Sequence, residues 1–344
     1  MKKSITVFIL LIAFTGQIFT QTTGSPSLMQ EAGYNYRIND AHCHYVDFVQ
    51  ETEGMDILLE QMDKAGVENI VLFGLPVTKL WTNYDQERPV YYDDNDAPVY
   101  YYAFTDVILA EAVKSLPKEQ RDRIYPMICG FNPVDRNGID HIKRMMEMYP
   151  DFWVGIGEIF FRHDDLSRMT YGRNPTANEV SMDPVYEFAA EKNLPVWIHS
   201  DLGDPTSTKP KFLYEMEEVI KDHPKTKIVW CHIGDTRNLD IDGLPEITRR
   251  LLSTYPNLYF DLSWIVFEQV IAPEGKPDPE WVAIFEQFPN RFMVGTDLIG
   301  EFSDYGKTIR KYEVLFAVLT PETAKKLSFE NLFELLPKRS ETRN

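Results

Sequence analysis

Past residue 30, eight short apolar runs alternate with helical stretches, and this alternation restricts the fold of the chain more than any other feature. The runs fall at 36–44, 67–73, 124–131, 153–160, 195–199, 227–232, 258–262 and 292–296. Most are continuously apolar (VENIVLF, IYPMICGF, WVGIGEIF), the pattern of parallel strands covered on both faces. Helical patterns lie between them at 55–65, 105–115, 139–149, 184–192, 212–222, 244–254 and 281–288, and Gly66 stands where a helix C-cap would. Eight strand–helix units predict an α/β fold of the (β/α)₈ barrel type. A doubly wound sheet is the alternative, but no glycine-rich phosphate loop follows the first run. The barrel is expected to form one domain over 30–338. The Tyr- and Asp-rich stretch 81–104 reads as an insertion, either a lid or a packing segment on the rim.

The first twenty residues are of another kind. Lys2 and Lys3 precede an apolar stretch from Ile5 to Phe14, and smaller and polar residues follow it. This is the layout of a secretory signal peptide, too short to span a bilayer as a helix. Cleavage after Thr20 and a periplasmic location are therefore expected. A formal net charge of −18 argues against a partner that presents phosphates, so neither nucleic acid nor an anionic membrane surface is expected to bind. Three cysteines in 344 residues cannot make a disulfide framework. The expected partner is a small-molecule substrate, with no membrane insertion after signal removal and a homodimer left open.

Four of the seven histidines fall at the C-terminal ends of these strands, the end at which a barrel carries its active site. His42 and His44 are two apart on one strand, so both imidazoles face the same way. His199 closes the fifth strand and His232 the sixth, and Asp297 follows the eighth. Three or four imidazoles and a carboxylate around one opening suit a zinc-type centre with room for water. Cys43 and Cys231 neighbour these positions, and strand alternation turns them toward the helices.

These residues resemble the amidohydrolase superfamily, in its "amidohydrolase 2" branch. The resemblance rests on Asp40-Ala41-His42-Cys43-His44, Trp197-Ile198-His199, Cys231-His232-Ile233-Gly234, Gly295-Thr296-Asp297 and the ending Asn331-Leu332-Phe333. It implies a divalent metal, one or two zinc ions, held by His42, His44, His199, His232 and Asp297. It also implies Asp297 as general base, with His232 acting on substrate or water. Glu158, in Gly155-Ile156-Gly157-Glu158-Ile159, matches relatives that use a strand-four glutamate as ligand. The alternative is a buried carboxylate that only hydrogen-bonds a neighbour of the site. No lysine lies on this strand, so a carboxylated-lysine bridge is not expected.

The function implied is hydrolysis of an amide, ester, lactone or phosphoester by water activated on the metal. Non-oxidative decarboxylation at the same kind of site is the alternative, and a metal-keeping binding protein without turnover is a third reading. Arg162, Arg237 and Trp264 are the substrate-contacting candidates, and either arginine suits a bidentate grip on a carboxylate or phosphate.

Overall fold

The computed structural model describes residues 28–31, 33–77, 101–163, 166–204, 206–235 and 241–338. Residues 1–20, most of the 81–104 insertion, and Arg237 lie outside them. Eight parallel strands follow one another around a barrel: β1 Ile38–His44, β2 Val67–Phe73, β3 Ile124–Ile128, β4 Gly155–Phe160, β5 Val196–His199, β6 Ile228–Trp230, β7 Leu258–Asp261 and β8 Phe292–Met293. The ring closes where Ala41 N donates to Val294 O (2.9 Å) and His44 bridges to Ile299.

Alternation along the strands builds two cores. Outward residues such as Ile70, Leu72, Ile128, Ile156, Ile198, Ile228 and Phe260 pack under the helices. Inward residues, among them Ala41, Val71, Phe73, Met127, Trp197, Val229 and Met293, fill the barrel. The helix Met55–Ala65 shows how the outer layer is assembled. It buries Met55, Leu58, Leu59, Met62 and Ala65, one stripe at helical spacing, and stops at Gly66, whose φ of 64° suits a residue without a Cβ. At the N-terminal end of the barrel, Leu332, Leu335 and Leu336 plug the interior, and Asn331 Nδ2 donates to Pro289 O and Phe292 O (2.8 Å each). Apolar filling from below leaves the opposite mouth to polar groups. Among the described residues no helix is long and apolar enough to cross a membrane.

The strands end earlier than their apolar runs suggest. β6 stops at Trp230 because His232 and Ile233 adopt left-handed backbone (φ 56° and 59°), which no ladder accepts. This corrects the expectation for Cys231. Cys43 does lie in the outer layer, but Cys231 packs with the interior residues, where the alternation of Ile228 (outward), Val229 (inward) and Trp230 (outward) places it; His232 reaches the mouth through its left-handed backbone instead. All three cysteines are buried and free.

Candidate metal centre

The structure brings His42, His44, Glu158, His199, His232 and Asp297 together at the C-terminal mouth. His42 and His44 share a face of β1, with their Nε2 atoms 3.3 Å apart. Glu158 enters from β4 past Gly157, where a Cβ would lie 2.5 Å from Trp197 O, so no other residue fits. Asp297 arrives on a left-handed backbone (φ 55°), with its N–H given to His42 O (2.7 Å).

Each imidazole has one nitrogen tied down and the other turned inward. His42 Nδ1 meets Asp261 Oδ2 (3.1 Å), His44 Nδ1 meets Gly74 O (2.6 Å), His199 Nε2 meets Asp201 Oδ1 (3.2 Å) and His232 Nδ1 meets Ser263 Oγ (3.0 Å). Such partners fix the tautomer and leave the other nitrogen free to accept a cation.

The inward atoms form two groups that share Glu158. Glu158 Oε2 lies 3.3 Å from His42 Nε2 and 3.1 Å from His44 Nε2; Asp297 Oδ1 lies 3.3 and 3.4 Å from the same two nitrogens. Four donors around one cation in a tetrahedron, with bonds of about 2.0–2.1 Å, stand roughly 3.3–3.4 Å apart. The first group therefore fits a zinc-sized ion. Glu158 Oε1 is buried without a hydrogen bond, yet His199 Nδ1 stands 3.3 Å and His232 Nε2 3.5 Å from it. Asp297 Oδ2 lies 3.8 Å from His232 Nε2. This second, looser group suits a further cation, with Glu158 spanning the two.

Electrostatics agree with the geometry. Burial works to lower the His42 pKa, but Glu158, Asp261 and Asp297 outweigh it and hold it well above the usual imidazole range. Burial likewise opposes His199, which Asp201 and Glu158 push up to about 10. Burial would raise Glu158, Asp261 and Asp297, but the facing histidines hold all three below the usual carboxylate range. The mouth is a fixed anionic field that attracts either protons or metal cations.

Asp261 was not among the sequence candidates. Fully buried at the end of β7, it orients His42 and accepts from Ser263 N (3.0 Å) and Ser263 Oγ. Its signal was available, since it too is a carboxylate closing a strand. Asp40, quoted only as part of a motif, ties β1 to the segment after β8 by accepting from His42 N, Thr296 N (3.0 Å each) and Thr296 Oγ1 (2.8 Å). Burial raises its carboxyl to about 6, against those bonds.

The substrate candidates separate. Trp264 lines a cavity of 150 Å³ beside the donors, with Phe48, Phe160, His163 and Ile299. The His163 ring stacks on His199, 4.3 Å between centroids. Arg162 does not reach this cavity. Its guanidinium is held by Glu215 (2.6–3.0 Å) and lies over Phe212, because the fully buried Glu215 carboxylate requires a cation.

The amidohydrolase family model matches residues 40–331, and the chain belongs to that family. No curated protein matches it. Among solved structures it is similar to 4-oxalomesaconate hydratase from Rhodopseudomonas palustris, with TM-score 0.54 and 15% identity over 87% of this chain and 95% of that one. It is also similar to a zinc-bound amidohydrolase from Burkholderia multivorans (0.53, 12%, 88% and 100%). A third is 5-carboxyvanillate decarboxylase from Novosphingobium aromaticivorans with manganese (0.53, 14%, 89% and 96%). At these identities the likeness is one of fold. Family membership makes the protein a metal-dependent enzyme of the amidohydrolase superfamily.

Two measurements check the centre. Elemental analysis should find about two ions per loaded chain and about one in Glu158→Gln, because two cations about 3.5–4 Å apart need an anionic bridge. One ion in both proteins would leave Glu158 as a ligand of a single cation or a neighbour of it. The second check is pH. Imidazoles raised above 6.5 stabilise the metal-free fold fully below that pH and lose the contribution as pH rises, in the case of His199 through about 10. The depressed carboxylates contribute above their ordinary values of 3.8–4.5 and lose it as pH falls below them. Chelated protein should thus be most stable between about pH 4.5 and 6.5. Stability still rising from pH 7 to 9 without metal would contradict this balance.

Proposed function

We propose that this enzyme hydrolyses a small, uncharged ester, lactone or amide, using zinc. The observation that carries the reading is the composition of the cavity. Among the described residues it is lined by imidazoles, two carboxylates and apolar groups, with no lysine or arginine. A decarboxylase site has to hold a substrate carboxylate in this anionic field, and the arginine that stood nearest in sequence is drawn away to Glu215. A cavity of 150 Å³ holds about one ring, comparable to an apolar cavity that accepts benzene. Phe48, Phe160, Trp264 and Ile299 suit the apolar part of such a substrate. The nitrogen and oxygen donors at tetrahedral spacing favour zinc over cations that prefer all-oxygen cages.

A divalent cation at this centre supplies an acidified water and a Lewis acid toward the scissile carbonyl. Asp297 takes the proton lost by the attacking water. It is the carboxylate of the cluster that reaches solvent, at 10% exposure against 1% for Glu158. Its Oδ1 faces His42 and His44, so Oδ2 is the oxygen that receives the proton and returns it to the leaving group. His232, held through Nδ1 by Ser263, presents Nε2 on the same side, where oxygen charge develops. Phe160 and Trp264 exclude water from the apolar part of the cavity.

Zinc-loaded protein should hydrolyse phenyl acetate or a related single-ring ester, lactone or amide. Asp297→Asn should lower kcat by about 10²–10⁴, the range of a general base. Carbon dioxide release from aromatic carboxylates, with no turnover across the ester, lactone and amide panel, would reverse the assignment. We also propose export with loss of residues 1–20, which N-terminal sequencing of the native protein checks: the first residue should be Gln21. A soluble cytoplasmic chain that begins at Met1 would overturn it.

A further inference from the structure

Beyond Leu262 N, which donates to Met293 O (2.9 Å), β7 and β8 part, and the segment after β8 turns to β1 through Val294. The carbonyls of Leu262 and Gly295 then face a common point, and the hydroxyl of the fully buried Tyr312 occupies it, 2.6 Å from the first and 2.8 Å from the second. Its one proton serves both acceptors in turn or shared. The ring is fixed by Phe267, 4.5 Å between centroids. The preceding residue, Lys311, donates through Nζ to Trp264 O (2.8 Å) and is itself held by Glu268 (2.8 Å).

What these three carbonyls belong to gives the arrangement its consequence. Leu262 follows Asp261, which orients His42 and lies beside His232. Gly295 precedes Asp297 by two residues and packs so tightly on His42 that a Cβ would stand 2.7 Å from the histidine Cβ. Trp264 and Asp297 both sit on left-handed backbone (φ 65° and 55°), a conformation that persists in such residues only where neighbours hold it.

We propose that Tyr312 is a positioning residue of the metal centre and Lys311 a positioning residue of the cavity wall beside it. Tyr312 sets the separation between the Asp261 and Asp297 segments on either side of His42, and Lys311 fixes the Trp264 wall of the cavity. Neither side chain is a donor to the cation. The inference rests on reading this mouth as the metal centre, and it is independent of the reaction the centre catalyses.

The test removes single groups. Tyr312→Phe deletes only the hydroxyl. Tyr186→Phe deletes an equally buried hydroxyl that donates to Ala177 O (3.0 Å), away from the donors, and serves as its control. Both proteins are stripped with chelator and titrated with Mn²⁺, with free ion read by electron paramagnetic resonance. Tyr312→Phe should raise the Mn²⁺ dissociation constant about tenfold, as loss of an outer support does, and Tyr186→Phe should leave it unchanged. Equal constants in the two variants would overturn the Tyr312 assignment. If Tyr312→Phe fails to fold, Lys311→Met decides: it should increase acrylamide quenching of tryptophan emission at an unchanged Mn²⁺ constant, and unaltered quenching would reject the proposal. No turnover is needed, so an enzyme that hydrolyses no ester rejects the hydrolytic reading and leaves this one standing.

Discussion

Buried carboxylates and imidazoles face one another at the mouth of the barrel, and the rest of the site depends on balancing their charge. Glu158, Asp261 and Asp297 are almost fully removed from water. Each buried anion costs several kcal/mol of solvation unless positive charge stands beside it. In the metal-free protein that charge is protons held on His42, His44 and His199, and in the loaded enzyme it is the cation. These are competing occupants of one field, which links metal affinity, stability and pH. The supports around the centre follow from this. Gly74 O, Asp201 and Ser263 hold one nitrogen of His44, His199 and His232 so that the other stays aimed at the anions.

Glu158 is the residue on which the two donor groups join. Its two oxygens face different partners, and the backbone that admits it into the barrel is possible only because Gly157 carries no side chain against Trp197. A carboxylate in that place either spans two cations or serves one while its second oxygen is left to the imidazoles. The first arrangement explains why Glu158 Oε1 is buried without a hydrogen bond although two imidazole nitrogens stand within 3.5 Å of it. His44 Nε2 meets the other oxygen, Oε2, at 3.1 Å, so the two carboxylate oxygens serve different histidines.

The barrel was legible in the sequence because its information is local. Apolar runs recur eight times with helical stretches between them, and the helices Met55–Ala65 and Leu244–Thr254 match their expected bounds. The candidate donors were legible because four of the seven histidines close strands and two of them share a direction along β1. What stayed hidden depends on pairing at a distance. Arg162 looked like a substrate clamp until the buried Glu215, 53 residues on, claimed it. The place of Asp261 near the end of the seventh run was visible, but its contact with His42, 219 residues away, was not. Alternation turns Cys231 outward only on the premise that His232 continues the strand, but His232 leaves it on a left-handed turn and Cys231 keeps the inward place.

That turn points to a division within the site. On β1, β4 and β5 the donors lie inside strands: His44 and His199 stand at paired positions of the ladder, and His42 and Glu158 at register shifts between paired residues. On β6 and β8 the donors lie past the last rung. His232 and Asp297 are left-handed there, as is Trp264 past β7, each at a cost of about 1 kcal/mol or more. The same backbone folds their side chains over the mouth instead of along the strand axis. Rigidity on this side comes from side chains that bond the backbone: Asp40 to Thr296, Asp261 to Ser263, and Tyr312 to Leu262 or Gly295. Half the centre is thus built by the fold and half by buried polar contacts laid over it. In the second half the donors are therefore placed by side-chain contacts and not by strand pairing.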